Sequence, residues 1–167
     1  MKKIAIAVLL SAFIAAPAVA ADTPFYAGVN VGSAKIDFPG FDSTTSFALL
    51  GGYTFNENFA AEIAYSNFGS KDYPGGFNVK SSAISISGVG SYPINEQFSV
   101  FAKLGFASTT VDDTGSSQSK SDLTYGFGGQ FNVNKQIGIR LGYDIYKVTD
   151  VINLDQKVTS IGAVLKF

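Results

Sequence analysis

The sequence predicts an all-β fold, an eight-stranded antiparallel up-and-down transmembrane β-barrel running from Ala21 to Phe167. Three observations predict it. Apolar residues alternate with small or polar ones along much of the chain, the period of a strand with two unlike faces. Eight such segments occur, at about 24–35, 46–55, 59–68, 79–92, 98–109, 121–132, 136–147 and 156–167. Their connections are alternately longer and shorter, as in a barrel with loops at one end and tight turns at the other.

The residues before the first strand are set apart by their chemistry. Lys2 and Lys3 precede a run from Ile4 to Ala16 broken only by Ser11, and Ala18-Val19-Ala20 follows. A basic start, an apolar stretch and a small-residue site describe a secretory signal peptide, so residues 1–20 are expected to be cleaved. A single membrane anchor is the alternative, but the run is shorter than the roughly 20 apolar residues that a spanning helix needs.

Along the strands the alternation is explicit. In the second, Phe47, Leu49, Gly51, Tyr53 and Phe55 share one face and Ala48, Leu50, Gly52 and Thr54 the other. In the fourth, alternation slips near Gly88 to Gly90, which is read as a β-bulge. The sixth sets Leu123, Tyr125, Phe127, Gly129 and Phe131 against Thr124, Gly126, Gly128, Gln130 and Asn132. The seventh sets Ile137, Ile139, Leu141, Tyr143 and Ile145 against Gly138, Arg140, Gly142 and Asp144. The eighth ends with Ile161, Ala163, Leu165 and Phe167 against Ser160, Gly162, Val164 and Lys166. Short turns are expected at Asn56-Glu57-Asn58, Pro93 to Gln97 and Val133-Asn134-Lys135, and polar loops at 36–45, 69–78, 110–120 and 148–155.

Alternation alone also fits a soluble β-sandwich, so the faces must decide. A sandwich turns its large apolar side chains inward and presents polar ones to water. Here the second face is mostly Gly, Ala, Ser, Thr and Asn, too small for a water-facing surface and suited to the filled interior of an eight-stranded barrel. The apolar face is almost free of charge in the strand centres, where a lipid-facing charge would cost about 2–4 kcal/mol. Phe25, Phe55, Phe59, Tyr92, Phe98, Phe131 and Phe167 fall near the short-turn end. Phe47, Tyr65, Phe68, Phe106 and Tyr125 fall toward the loops, giving two aromatic belts.

Composition excludes several functions. The formal charge is −1 with no basic stripe, which argues against a nucleic-acid partner. Cysteine is absent, so no disulfide holds an exported chain together. Histidine is absent as well, and the outer-membrane proteases, phospholipases and lipid-modifying barrels place a histidine in their catalytic set. Asp112-Asp113 is the nearest candidate pair for catalysis or metal binding. Neighbours on a strand point to opposite faces, so a solvated pair is the better reading. No enzyme activity, cofactor or metal is expected.

Three segments, Phe25-Tyr26-Ala27-Gly28-Val29-Asn30-Val31-Gly32, Gly51-Gly52-Tyr53 and Ile139-Arg140-Leu141-Gly142-Tyr143, resemble the small OmpA-type and OmpX-type barrels of Gram-negative outer membranes. The ending Ser160-x-Gly162-x-x-Leu165-x-Phe167 resembles the C-terminal assembly signal of such proteins. The resemblance covers the mature chain. It implies recognition by the barrel-assembly machinery, escort by periplasmic chaperones, and residence among outer-membrane lipid and lipopolysaccharide. No counterpart of the peptidoglycan-binding domain of full-length OmpA is expected.

The inward face carries four ionisable residues in its strand centres, Glu62, Lys103, Arg140 and Asp144, and buried charges must pair. The resemblance likens Glu62, Arg140 and Lys103 to an OmpA-type interior salt-bridge network that gates a narrow water path. Gln130 stands where that family has a second acid, which weighs against partner switching. A static polar plug is the favoured reading and a gate the other. The expected function is an integral outer-membrane protein with a structural or surface role and at most a narrow pore, expected as a monomer. Two alternatives stand beside it. One is an OmpX-type surface adhesin meeting a host or surface ligand through its loops, with Phe38, Phe41 and Tyr73 as contact aromatics. The other is a soluble periplasmic β-sandwich that binds a ligand.

Overall fold

In a computed structural model of the chain, residues 23–36, 43–73, 77–113, 116–148 and 154–167 are described. For 36, 70–73, 77–80, 111–113, 116–118, 148 and 154 the description is of the backbone alone. The expected signal peptide (1–20), Phe38 and Phe41 lie outside the described residues. Every described element is a strand: β1 (Phe25–Ile36), β2 (Thr44–Asn56), β3 (Phe59–Tyr73), β4 (Phe77–Pro93), β5 (Phe98–Asp113), β6 (Ser116–Asn132), β7 (Ile137–Val148) and β8 (Leu154–Lys166). Each pairs antiparallel with its sequence neighbour, and β8 returns to β1 to close the barrel. Closure excludes the two-sheet sandwich. It also pairs the backbone without leaving an open sheet edge around the wall, the condition for a β-structure in hydrocarbon.

The short turns share one device. Asn56 Oδ1 accepts the backbone N–H of Asn58 and of Phe59, both at 2.9 Å. Asn95 does the same for Gln97 and Phe98, and Asn134 for Gln136 and Ile137, at 2.7–2.9 Å. An asparagine that folds its side chain onto the backbone two residues on mimics a turn, so each hairpin reverses with few residues and no special backbone angle. Both ends of the described chain meet at this same end, where the Thr23 N–H donates to the Phe167 carbonyl at 2.9 Å.

Three expectations need correction. The segments 69–78 and 110–120 are largely strand, because β3–β4 pair out to Tyr73↔Phe77 and β5–β6 out to Asp113↔Ser116. Beyond the membrane both faces of a ladder meet water, so the apolar period disappears while pairing continues through Ser, Thr and Val. The four strands β3 to β6 thus rise as a blade, with β4 and β5 paired to Lys80↔Asp112. Among the described residues, β7 leaves β6 at Thr124↔Tyr146, so Ser116 to Leu123 pair with β5 alone.

Second, no bulge occurs at Gly88 to Gly90, where pairing is continuous with both β3 and β5. Val89 points inward between two outward glycines, which imitates a slipped period. The register of β3–β4 instead shifts between Asn67 and Ser70, where Gly69 takes φ +84° and donates its N–H to Asn67 Oδ1 at 2.9 Å. Third, Phe68 does not belong to the outer belt. It lies inside the barrel at 3 % exposure, three residues from the outward Tyr65 and therefore on the opposite face.

The wall is inverted relative to a water-soluble protein. Ile63, Ile84, Ile86, Leu104, Phe127 and Leu141 all stand outward and exposed, Ile86 at 64 %, while Glu62 inside is 2 % exposed. A continuous apolar exterior of this extent needs a hydrocarbon surround. At the short-turn end Phe25, Phe55, Phe59, Tyr92, Phe98, Phe131 and Phe167 all face out. Tyr53 stacks edge-on against Phe25 and Phe55, with ring centroids 5.1 and 5.2 Å apart. At the other end Tyr65 and Phe106 are exposed and Phe47 and Tyr125 partly so.

Candidate functional site: a charged layer across the lumen

The side chains that cross the barrel axis come from strands brought together only by closure. Glu62 projects from β3, Lys103 from β5, Gln130 from β6, Arg140 and Asp144 from β7, and Tyr26 from β1. Arg140 Nη1 donates to Glu62 Oε2 at 2.6 Å, and Arg140 Nε and Nη2 both donate to Gln130 Oε1, at 3.2 and 3.1 Å. Tyr26 donates its hydroxyl to the same Glu62 oxygen at 3.1 Å. Lys103 Nζ lies 2.9 Å from Asp144 Oδ1 and 3.7 Å from Glu62 Oε1. Two acids thus face two bases in one contiguous group. That balance offsets part of a desolvation cost of several kcal/mol per ion.

The backbone opposite is built to receive these groups. A Cβ at Gly52 would collide with the Tyr26 ring, at Gly126 with the Asp144 carboxylate, at Gly128 with the Phe101 ring, and at Gly162 with the Asn30 amide. The small-residue face read from the sequence is therefore the negative of the large side chains that fill the lumen. Arg140 is held from both sides: its guanidinium carbon lies 4.8 Å from the centroid of Phe101 and 5.6 Å from that of Tyr26, within cation–π range.

The layer continues in both directions. Toward the short turns, Gln130 Nε2 donates to Asn132 Oδ1 at 2.8 Å, and Lys166 Nζ donates to the same oxygen at 3.3 Å. Toward the loops, Tyr146 and Ser66 share a hydrogen bond of 3.2 Å, and Phe68 packs edge-on against Tyr146 at 5.0 Å. Ala34, Ala83, Ala107 and Val158 complete that apolar cluster. A cavity of about 1030 Å³ opens at the short-turn end and reaches Tyr26, Phe101 and Arg140. On the far side of the charged layer a void of about 20 Å³ lies among Asn30, Glu62, Lys103, Asp144 and Tyr146.

The structure thus brings Glu62, Lys103, Gln130, Arg140 and Asp144 into one group. Tyr26, Phe101, Asn132 and Tyr146 belong with them, and sequence reasoning missed all four. Parity with Asn30, Lys103, Gln130 and Asp144 on their own strands is the signal that would have found them. Of the residues expected to form an assembly signal, Ser160 and Gly162 pair with Gly32 and Asn30 of β1, Leu165 lies near the end of β8, and Phe167 follows it. The backbone of Asp112 and Asp113 pairs with Ser117 and Ser116 in the blade. Among the described residues no group of three or more potential ligands could hold a metal ion.

A closed eight-stranded barrel with an apolar exterior, two aromatic belts and a polar interior is the architecture of an outer-membrane protein. A sequence profile named for the outer membrane protein beta-barrel domain matches residues 5–167, and the chain belongs to that family. No curated protein sequence matches it. Solved structures share the fold. Neisserial surface protein A is 21% identical with a TM-score of 0.69, over 87% of this chain and 98% of that one. The attachment invasion locus protein Ail of Yersinia pestis, in complex with the heparin analogue sucrose octasulfate, is 19% identical with a TM-score of 0.64, over 86% and 99%. The N-terminal barrel domain of Pseudomonas aeruginosa OprF is 10% identical with a TM-score of 0.61, over 85% and 97%.

Proposed function

We propose that this protein is a monomeric, non-enzymatic outer-membrane barrel whose lumen is plugged and whose work is done at its outer surface. The observation that carries the reading is the layer of Arg140, Glu62, Tyr26 and Phe101, which separates the wide cavity from the 20 Å³ void beyond it. Six groups, Tyr26, Glu62, Lys103, Gln130, Arg140 and Asp144, bonded between strands far apart in sequence, act as a static plug. Switching would need a competing acid near Arg140, and Gln130 occupies that place. The complete absence of histidine supports the non-enzymatic reading. In planar bilayers the refolded protein is expected to show no sustained conductance, and a steadily open channel would overturn the plug.

Residues 1–20 serve as the cleaved leader, and Ser160, Gly162, Leu165 and Phe167 as the signal read by the assembly machinery. Phe167→Ala is expected to lower the amount of barrel inserted in cells while leaving refolding into detergent unchanged. Equal losses in both assays would reduce Phe167 to a packing residue.

One observation favours a second role, contact with a surface or host ligand. The β3–β6 blade extends past the described parts of β1, β2, β7 and β8, and among the described residues the β6 strand ladder from Ser116 to Leu123 runs to β5. A protruding sheet can take up an added strand at its edge. Removing residues 110–119 is expected to abolish attachment to host cells or matrix without preventing barrel formation; retained attachment would exclude the blade.

A further inference from the structure

The cavity of about 1030 Å³ opens between the short turns, which is the periplasmic end of a barrel of this class. Arg140, only 8 % exposed, forms its floor with Tyr26 and Phe101, whose rings hold the guanidinium. Among the described side chains that point inward between this floor and the turns, Lys166 is the one ionic group. The acids at the mouth, Glu57 and Glu96, stand on the turns themselves, as does Lys135. The inward wall on this side of Glu62 thus presents cations and, among the described residues, no acid.

Both cations have donors beyond those their described bonds use. Bonds to Glu62 and Gln130 take three of the five N–H groups of a guanidinium. Lys166 Nζ donates at 3.3 Å to Asn132 Oδ1, a neutral acceptor that cancels no charge, and an ammonium has three donors. Neutral amides join the two cations. Gln130 accepts from Arg140 and donates through Nε2 to Asn132 Oδ1 at 2.8 Å. The rest of the wall is largely apolar, with Ala60, Val89 and Phe101 on β3, β4 and β5 and Val164 on β8. A concave apolar surface with a few convergent polar groups is the pattern of a small-molecule site.

We propose that this cavity binds a small organic monocarboxylate with an apolar body, entering from the short-turn end. The carboxylate takes the remaining N–H donors of Arg140 and the ammonium of Lys166, whose flexible stem lets it turn from Asn132 to the anion. The apolar body lies against Val89, Phe101 and Val164. The guanidinium is charged at every working pH and already held between two rings, so little order is lost on binding. Glu62, which shares the guanidinium, limits the affinity. A phosphate would meet the same donors but leave the apolar wall bare. The site goes beyond the plugged-barrel reading and rests on it for the closed floor.

The test uses the refolded barrel in phosphatidylcholine nanodiscs, which cover the outer wall and leave the mouth open. The heat-dependent gel shift and a silent planar bilayer are checked first: failure of either counts against the plugged barrel itself, whereas the titrations address the pocket alone. Phenylacetate, phenylethanol, acetate and inorganic phosphate are then titrated by calorimetry, with empty nanodiscs as the blank. Phenylacetate is expected to bind saturably, and the other three at least about tenfold more weakly. Lys166→Gln is expected to weaken phenylacetate about fivefold, and Ala60→Phe, which fills the cavity, to abolish its binding. Lys166→Gln, at an exposed position, decides the matter even if the larger substitution prevents folding. No saturable binding to the wild type, or unchanged binding to folded Lys166→Gln, would overturn the site. Equal affinity for phenylethanol would remove the anion from the account, and equal affinity for acetate or phosphate the apolar body; either result overturns the proposal.

Discussion

Arg140 shows how a single residue is made indispensable by its surroundings. Its three donating nitrogens are all engaged, its flat faces lie near two rings, and its removal leaves Glu62 buried with one base at 3.7 Å. Arg140→Ala is therefore expected to destabilise the barrel by about 3–5 kcal/mol. The double change Glu62→Leu/Arg140→Met is expected to cost far less, because it removes both charges together. Urea titration of the folded gel band in lipid vesicles measures both; equal losses would mean that the pair itself adds little. On the outer wall the sign of burial reverses. Ile86→Lys is expected to cost about 2–4 kcal/mol, whereas Ser121→Lys on the blade is expected to cost almost nothing. Equal costs in the same titration would count against a lipid-facing wall at Ile86. The four charges were legible because ionisable residues stand out on a face of Gly, Ser and Thr. Tyr26 and Phe101 were not, since an aromatic ring in a strand reads as lipid-facing until the parity of its own strand is followed.

At the scale of the element, a strand announces itself only where its two faces meet different surroundings. Within the membrane Phe47 to Phe55 and Leu123 to Phe131 alternate cleanly, and the strand cores were legible. Above it, Thr109-Thr110-Val111 pair with Gln118-Ser119-Lys120, and polar residues stand at nearly every position. The apolar period vanishes there and the segments read as loop. The same limit explains Gly88 to Gly90, where outward glycines beside an inward valine imitate a slipped period without any shift of register. Backbone amides from Thr124 to Phe131, whose strand ladders run to both β5 and β7, are expected to exchange with deuterium far more slowly than those from Ser116 to Ser121, whose ladder among the described residues runs to β5. Uniform protection along β6 would require a partner for the blade edge.

For the whole molecule, closure ties the other observations together. It pairs β1 with β8, brings Glu62 of β3 within reach of Arg140 of β7, and leaves an exterior that water would not tolerate. The fold class was legible because alternation, strand number and connection lengths agreed with one another. The surface role was not, since it depends on the tips of connections whose polar composition fits many ligands.

The most direct measurement is the mobility of refolded residues 21–167 on SDS gels, unheated and boiled, after folding with and without detergent or lipid. Faster migration of the unheated sample, seen only when detergent or lipid was present during folding, is the expected result for a closed membrane barrel. Cooperative folding in plain buffer with no heat-dependent shift would contradict it, because an exterior carrying Ile86, Leu104 and Leu141 would then be at home in water.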